Sequence, residues 1–358
     1  MKYKTFSILL LGITLVLFIS MGVFNYIIDP YGYNNRFHLR INTEKAIQDE
    51  RIYKFKLLET YPHADSFLFS SSRGLNLSPS VVTSLSGHTT INCAFSSASA
   101  DEYYLYIKYL IQTREVKQII IGIDLFAYAD GFVSDGTLPE PLLSYFHLND
   151  NRSLTTYLNY DAFKKSIKTI QHNQHHPKPM EQRYTRYGQV IPGNYRNAMK
   201  DQNSLTKYIQ VNVIEKPPRW NTRFNTLAQE RLNKLSEIKQ LCDEKGVNLY
   251  LFTSPLYIKQ ITMKQNKFFL QKRLLHYIVH NIQPVWDYNG ITAINTDPYA
   301  YEDEFHYNYR TGDSILSEIL TGKAMIKNYS GTYITPENIT PYLQHVDQKI
   351  AEYLKTAH

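Results

Sequence analysis

The stretch from Phe6 to Ile28 constrains the fold more than any other feature, because its 23 residues carry no charge and are rich in Leu, Ile, Val and Phe. Backbone groups find no water inside a bilayer, so a single apolar span of this kind can cross it only as a helix. At about 1.5 Å per residue, the stretch is long enough for a hydrocarbon core of about 30 Å. We predict an uncleaved transmembrane anchor.

The charges that flank this stretch bear on its orientation. Lys2 and Lys4 precede it, as on the cytoplasmic side of a membrane, but Arg36, Arg40 and Lys45 follow it, so the charges alone do not settle the orientation. A cleaved signal peptide is the alternative, although the stretch exceeds a usual signal-peptide core and no Ala-x-Ala site closes it. We expect the bulk of the chain outside the membrane.

Beyond the anchor, short apolar runs alternate with amphipathic stretches. Strands are predicted at about 66–70, 89–95, 116–123, 247–252 and 285–287, and helices at about 33–64, 99–113, 140–170, 222–245, 257–280 and after Gly312. This alternation is typical of an α/β domain with a parallel sheet covered on both faces. Ligands bind at the carboxyl ends of such strands, so we expect the residues that follow these ends to converge: Ser70–Gly74, Ser96–Ser97, Asp124 and Ser254–Pro255.

The predicted organisation therefore has five parts. They are a cytoplasmic tail at 1–5, a transmembrane anchor at 6–28, a juxtamembrane segment at 29–64, an α/β domain at 65–325 with an insertion at about 130–221, and a helical extension at 326–358. The insertion is expected to lie over the ligand-binding edge. Its histidines, His172, His175 and His176, lack a carboxylate or cysteine at ligand spacing, which favours a solvated loop over a metal site.

Composition excludes some classes of function. The net charge is +7, but Lys and Arg are spread along the chain without a basic block or nucleic-acid module, so we expect no nucleic-acid partner. Cys93 and Cys242 match no metal or redox spacing, and we interpret both as buried small apolar residues, with a disulfide between them left open. The 30 tyrosines favour half-buried packing over a sugar-binding surface.

Two distant runs carry the chemistry. Ser66-Phe67-Leu68-Phe69-Ser70-Ser71-Ser72-Arg73-Gly74 is an apolar strand that ends in three hydroxyls, and Asp303-Glu304-Phe305-His306-Tyr307 places a carboxylate three residues before an imidazole. A hydroxyl nucleophile, an imidazole base and an orienting carboxylate are the groups that activated serine chemistry requires. Together the runs predict a catalytic triad.

These runs resemble those of the SGNH (GDSL-like) hydrolase superfamily, and more narrowly its bacterial membrane-anchored branch with a Gly-Ser-Ser-Arg serine block. The resemblance covers about 64–125 and 222–320, and it includes Phe252-Thr253-Ser254-Pro255 and Gly312-Asp313. It implies a three-layer α/β/α sandwich with a mainly parallel sheet, here preceded by one transmembrane helix, and chemistry without a cofactor or metal. Position by position, it implies Ser72 as nucleophile, His306 as base and Asp303 as orienting acid.

The chain departs from the superfamily pattern on the oxyanion side. Ser70 replaces the first glycine of the serine block, and Ser97 replaces the oxyanion-hole glycine of the second block, although its backbone N–H can still donate. Asp124 stands where the third block supplies an asparagine donor, and a carboxylate can only accept. Arg73 is expected to bind a substrate anion or to pair with Asp124.

The resemblance implies an extracytoplasmic serine O-acyl transferase or esterase that acts on an envelope polysaccharide or another acylated glycan. Hydrolysis and transfer share one acyl-enzyme, so the triad does not distinguish them. Relatives that work beside a membrane-embedded acyltransferase partner favour transfer at a bacterial inner membrane, which is an argument by analogy. The alternative is a catalytically inactive glycan-binding or assembly subunit, which the changes at Ser70, Ser97 and Asp124 favour.

Overall fold

The computed structural model describes residues 2–31, 37, 39–42, 50–134, 136, 138–148, 157–175, 184–190, 193–216, 224–262 and 265–356. Two compact units are present. The first contains Met1–Phe55 and Thr137–Gln182, and the second contains Lys56–Gly136 and Arg183–His358. The predicted insertion is therefore divided between the two units, and every candidate site residue lies in the second.

The first unit is organised around helix α1 (Lys2–Ile28), which is long and apolar enough to cross a membrane. Its C-terminal end packs against a helix of the insertion, α6 (Tyr160–His175). There the Asn25 side chain donates to the Tyr157 carbonyl at 2.6 Å and accepts from the Ser166 hydroxyl at 2.9 Å. These buried, paired polar groups show that the last turns of α1 are packed against protein.

A six-stranded sheet forms the centre of the second unit, in the order β2-β1-β3-β4-β5-β6. The strands are β1 (Ser66–Phe69), β2 (Thr90–Asn92), β3 (Gln118–Ile123), β4 (Asn248–Thr253), β5 (Val285–Asp287) and β6 (Thr332–Ile334). All neighbouring pairs are parallel except β5 with β6. β1, β2 and β3 are buried along their whole length, as expected for parallel strands built from continuous apolar runs. The prediction of an α/β fold with a mainly parallel sheet is confirmed.

Further helices lie in both units. In chain order they are α2 (Glu50–Thr60), α3 (Pro79–Ser86), α4 (Ala100–Thr113), α5 (Glu140–Tyr145), α7 (Gly193–Ala198), α8 (Gln202–Ile209), α9 (Gln229–Lys245), α10 (Ile258–Thr262), α11 (Gln265–Asn281), α12 (Ala293–Thr296), α13 (Tyr309–Thr321) and α14 (Ile339–Thr356). Short 3₁₀ turns occupy Ser72–Asn76, Leu125–Tyr128 and Pro298–Ala300, and a π-helical turn follows α8 at Gln210–Ile214.

Several predicted boundaries are wrong. The last core helix does not follow Gly312 but contains it, because the Asn308 side chain accepts from the Thr311 N–H at 3.1 Å and caps α13 one residue before Tyr309. His172 lies on a helix and not in a loop, since α6 continues to His175, while His176 lies outside the described residues. The segment expected to be purely helical after 325 also contributes strand β6.

The two cysteines and many tyrosines belong to the core. Cys93 and Cys242 are both buried, and burial raises the pKa of the Cys242 thiol to about 12. Six tyrosines are among the largest fully buried side chains: Tyr103, Tyr106, Tyr128, Tyr288, Tyr301 and Tyr307. The sequence-based preference for packing over surface recognition is thus confirmed at these positions.

Candidate active site

The predicted serine block follows β1 as a tight 3₁₀ turn, Ser72–Asn76, which we call the serine turn. Ser71 caps it, because its hydroxyl accepts from the Arg73 N–H at 3.3 Å. Ser70 lies beneath the turn, and a Cβ added at Gly74 would come within 2.3 Å of the Ser70 Cβ. A Cβ at Gly122 would come within 2.7 Å of the Ser70 hydroxyl. Gly74 and Gly122 therefore leave the space that the Ser70 side chain occupies.

The second predicted run forms a closed loop, residues 302–307, which we call the histidine loop. A β-bridge between Tyr301 and Tyr307 closes it. Inside it, one oxygen of Asp303 accepts from the backbone N–H groups of Phe305 and His306, each at 2.8 Å. Asp side chains commonly stabilise turns in this way, and here the turn brings the imidazole back onto the carboxylate.

The structure brings the three predicted triad residues together. His306 Nε2 lies 2.9 Å from Ser72 Oγ, and His306 Nδ1 lies 2.8 and 2.9 Å from the two oxygens of Asp303. Since a carboxylate can only accept, Nδ1 carries the proton and Nε2 is left to accept from the Ser72 hydroxyl. This is the orientation that a general base for a serine nucleophile requires.

The local environment keeps Asp303 ionised. Burial acts to raise the pKa of this carboxyl, but the hydrogen bond and charge of His306, together with the backbone donors of Phe305 and His306, bring that pKa below its ordinary value. The side chains of His306 and Asp303 are 26% and 37% exposed. The His306 imidazole is therefore both oriented by a carboxylate and partly exposed.

Two backbone segments border the oxyanion side. The chain after β2 stays paired with the end of β1, where the Phe95 N–H donates to the Ser70 carbonyl at 3.3 Å. Two residues later Ser97 adopts a positive φ of 52°, a conformation that favours glycine. Within the described residues, the Ser72 N–H donates to no backbone or side-chain acceptor. The Ser72 amide is thus available to a bound oxyanion.

Asp124 does not offer a donor to this site. It follows β3, is fully buried, and pairs with Arg73 Nη1 at 2.5 Å, while its other oxygen accepts from the Ser71 hydroxyl at 2.5 Å. The Arg73 side chain is only 8% exposed and also lies 5.7 Å from the centre of the Phe126 ring. Of the two expectations for Arg73, the structure places it in the ion pair.

A hairpin of the insertion supports the serine turn, and sequence reasoning missed it. Residues 184–190 form the hairpin, in which Tyr184 and Val190 are bridged. Gln189 Nε2 donates to the Asn76 carbonyl at 2.9 Å and to the Ser78 hydroxyl at 2.8 Å. The Val190 N–H donates to the Leu75 carbonyl at 2.9 Å. The Tyr187-Gly188 dipeptide could have indicated a turn in the sequence. Where the hairpin packs depends on the path of the backbone, which no sequence motif indicates.

Glu302 is a second carboxyl beside the triad. It accepts from the Asn76 amide at 2.6 Å, and its other oxygen is buried and has no partner among the described residues. Burial raises its pKa to about 7, against the opposing effects of the Asn76 bond and the His306 charge, while Asp303 contributes to the rise. The spacing of the Asp-Glu-Phe-His run predicted a role for Asp303, but the sequence predicted none for Glu302.

Comparison with known proteins does not name a family for this chain. A scan against protein-family models gives no match, and no curated protein matches. Within the described residues, no group of three or more His, Cys, Asp or Glu side chains is arranged to hold a metal ion. The geometry of the site is therefore the basis for assigning a function.

Proposed function

We propose that this protein is a serine-dependent acyl-transfer enzyme, either an O-acyl transferase or an esterase, that acts through an acyl-enzyme on Ser72. One observation carries the proposal: His306 Nε2 lies 2.9 Å from the Ser72 hydroxyl while Nδ1 is held by Asp303. Such reach between nucleophile, base and orienting acid is the geometric signature of activated serine chemistry.

The proposed reaction has two halves. Ser72 Oγ attacks the acyl carbonyl as its proton passes to His306 Nε2, and the imidazolium then protonates the leaving alkoxide as the C–O bond breaks. In the second half His306 takes a proton from water or from a sugar hydroxyl, and that oxygen attacks the acyl carbonyl of the acyl-enzyme. His306 then returns the proton to Ser72 Oγ as the ester bond to Ser72 breaks. The N–H groups of Ser72 and Ser97 are the proposed oxyanion donors.

The proposal extends to the setting of the reaction. The apolar α1 supports an enzyme anchored in a bacterial inner membrane with its second unit outside, where acylated envelope polysaccharides are the expected substrates. It includes an SGNH-like three-layer arrangement of the second unit and a membrane-embedded acyltransferase as partner, both of which rest on the resemblance of the two motif runs.

Active-site labelling tests the proposal directly. Full-length protein in detergent is incubated with a fluorescent phosphonate and, separately, with a small acetyl ester. We expect labelling and ester turnover in the wild type, and loss of both in Ser72→Ala and His306→Ala, with residual rates at least about 10³-fold lower. Ser84→Ala, which removes an exposed hydroxyl on α3, is the matched control and keeps both activities.

An inactive glycan-binding or assembly subunit is the second candidate, and one observation favours it. Asp124 is engaged with Arg73, so the position that supplies an asparagine donor in the superfamily supplies none here. A wild type that is neither labelled nor active with the ester, while binding an acylated glycan equally well before and after Ser72→Ala, would establish this alternative.

A further inference from the structure

The serine turn carries more than the nucleophile. In a 3₁₀ helix, residues three apart lie on the same side, because the helix has about three residues per turn. Arg73 and Asn76 stand in this relation, and both side chains reach the histidine loop. The turn that presents Ser72 therefore also holds the loop that presents His306.

Arg73 makes the first of these contacts. Its Nε donates to the carbonyl of Phe305, the residue before His306, at 3.1 Å. Its Nη1 is held by Asp124 at 2.5 Å, so the guanidinium is fixed between the end of β3 and the histidine loop. A planar guanidinium bonded on two sides has little freedom to rotate, which makes it a rigid spacer.

Asn76 makes the second contact on the other side of the histidine. Its amide donates to the carbonyl of Tyr307 at 3.2 Å and to the Glu302 carboxyl at 2.6 Å. The backbone carbonyl of Asn76 accepts from the Gln189 side chain, which fixes the end of the turn. The backbone carbonyls immediately before and after His306 are thus both bonded to side chains of the serine turn.

We propose that Arg73 and Asn76 act together as positioning residues that set the distance between Ser72 and His306, with Asp124 as the support of Arg73. This inference rests on the proposed function and deepens it. It gives Asp124 a role on the base side of the site instead of the oxyanion side. Proton transfer requires hydrogen-bond reach, so a small displacement of the histidine loop is expected to lower the rate strongly.

The test compares Arg73→Met and Asn76→Ala with a control in the same unit. Arg231 is a matched choice, because it pairs with Asp101 at 3.1 Å and donates to the carbonyls of Ala129 and Phe132. We expect the phosphonate labelling rate to fall by about 10²-fold in Arg73→Met and about 10-fold in Asn76→Ala, and to stay within about 2-fold in Arg231→Met.

Two further measurements separate positioning from folding and from substrate binding. Arg73→Met leaves the Asp124 carboxylate buried without its partner, so Arg73→Met/Asp124→Asn is measured beside it, with thermal melts of every variant. Positioning predicts a fall in kcat for the acetyl ester at nearly constant KM. A rise in KM at constant kcat would instead make Arg73 a substrate-binding residue and overturn the inference.

The inference and the proposed function fail in different ways. If the wild type is labelled and the folded Arg73 and Asn76 variants are labelled at its rate, the positioning role is overturned and the function stands. If the wild type is not labelled, the proposed function fails, and ¹⁵N NMR of the His306 ring decides the positioning role. Faster exchange of the Nδ1 proton in Arg73→Met than in wild type and Arg231→Met supports it, and equal exchange overturns it.

Discussion

The base side and the oxyanion side of this site are built in different ways. On the base side, a turn and a loop bring Ser72, His306 and Asp303 into a continuous series of hydrogen bonds of 2.8–2.9 Å. On the oxyanion side, Ser97 lies in a backbone conformation that favours glycine, and Asp124 is engaged with Arg73. The base side thus carries all three groups of the predicted triad, whereas on the oxyanion side the Asp124 carboxylate offers no donor.

This difference indicates that the two halves of a serine site are constrained differently. The base must combine a correct tautomer, a correct distance and a correct angle, which only a narrow set of residue types provides. An oxyanion is stabilised by any well-placed N–H, and backbone amides serve whatever side chain they carry. Substitutions at Ser97 and Asp124 are therefore more easily accommodated than a substitution at His306.

The largest effect is expected for Asp303→Asn on the base side. The amide preserves the size of the side chain but can present its NH₂ to the imidazole, which then carries its proton on the nitrogen facing Ser72 and cannot act as base. We expect labelling and ester turnover to fall by about 10³- to 10⁴-fold, with a normal thermal melt. Asp313→Asn, a partly buried carboxyl on α13, is the control.

A small effect of Asp303→Asn would contradict the proposed base side, because His306 would then not depend on its carboxylate partner. Recovery at high pH would sharpen the comparison instead. Hydroxide can replace the base, whereas it cannot replace a missing oxyanion donor, so a rate that rises with pH in Asp303→Asn assigns the defect to the base side alone.

The sequence predicted that Ser72, His306 and Asp303 lie close together, and the structure places them within hydrogen-bond distance. Asp303 and His306 are three residues apart, and Ser72 follows an apolar strand, so motif spacing and the strand-end rule were sufficient. The pair of Arg73 with Asp124 was one of the two predicted outcomes. The bonds of Arg73 to the Phe305 carbonyl and of Gln189 to the Asn76 carbonyl could not be predicted, because the positions of backbone carbonyls depend on the path of the chain. The start of α13 was misplaced because the prediction used Gly312 and did not consider Asn308, whose side chain caps the helix.

An intermediate effect is expected for Glu302→Gln, and it depends on pH. Because burial raises the pKa of Glu302 to about 7, the folded state binds its proton more tightly than the unfolded state. Stability is then lost as pH rises from the ordinary carboxyl value through about 7, where Glu302 becomes charged in the folded protein. The amide lacks this loss and retains an oxygen for the Asn76 bond.

Urea unfolding at pH 5 and pH 8 measures this effect. Glu302→Gln is expected to gain about 1–3 kcal/mol relative to wild type at pH 8 and much less at pH 5. Glu304→Gln removes one carboxylate from the same loop and is the matched control. An equal change in the free energy of unfolding at both pH values in Glu302→Gln would show that burial does not raise the pKa of Glu302. Glu302 would then have no part in the electrostatics of the base side.

The smallest effect is expected for Ser97→Gly on the oxyanion side. The positive φ of 52° at Ser97 costs a residue with a side chain about 1 kcal/mol, and glycine adopts it freely. Glycine also gains freedom in the unfolded chain, so the net stabilisation is expected to be at most about 1 kcal/mol. Since the backbone N–H is unchanged, the labelling rate should stay within about 2-fold.

Ser96→Gly, at a residue without positive φ, should lower stability instead. A loss of labelling in Ser97→Gly alone would mean that the hydroxyl of Ser97, and not only its amide, acts on the substrate, and the oxyanion side would then be specialised through its serine side chain.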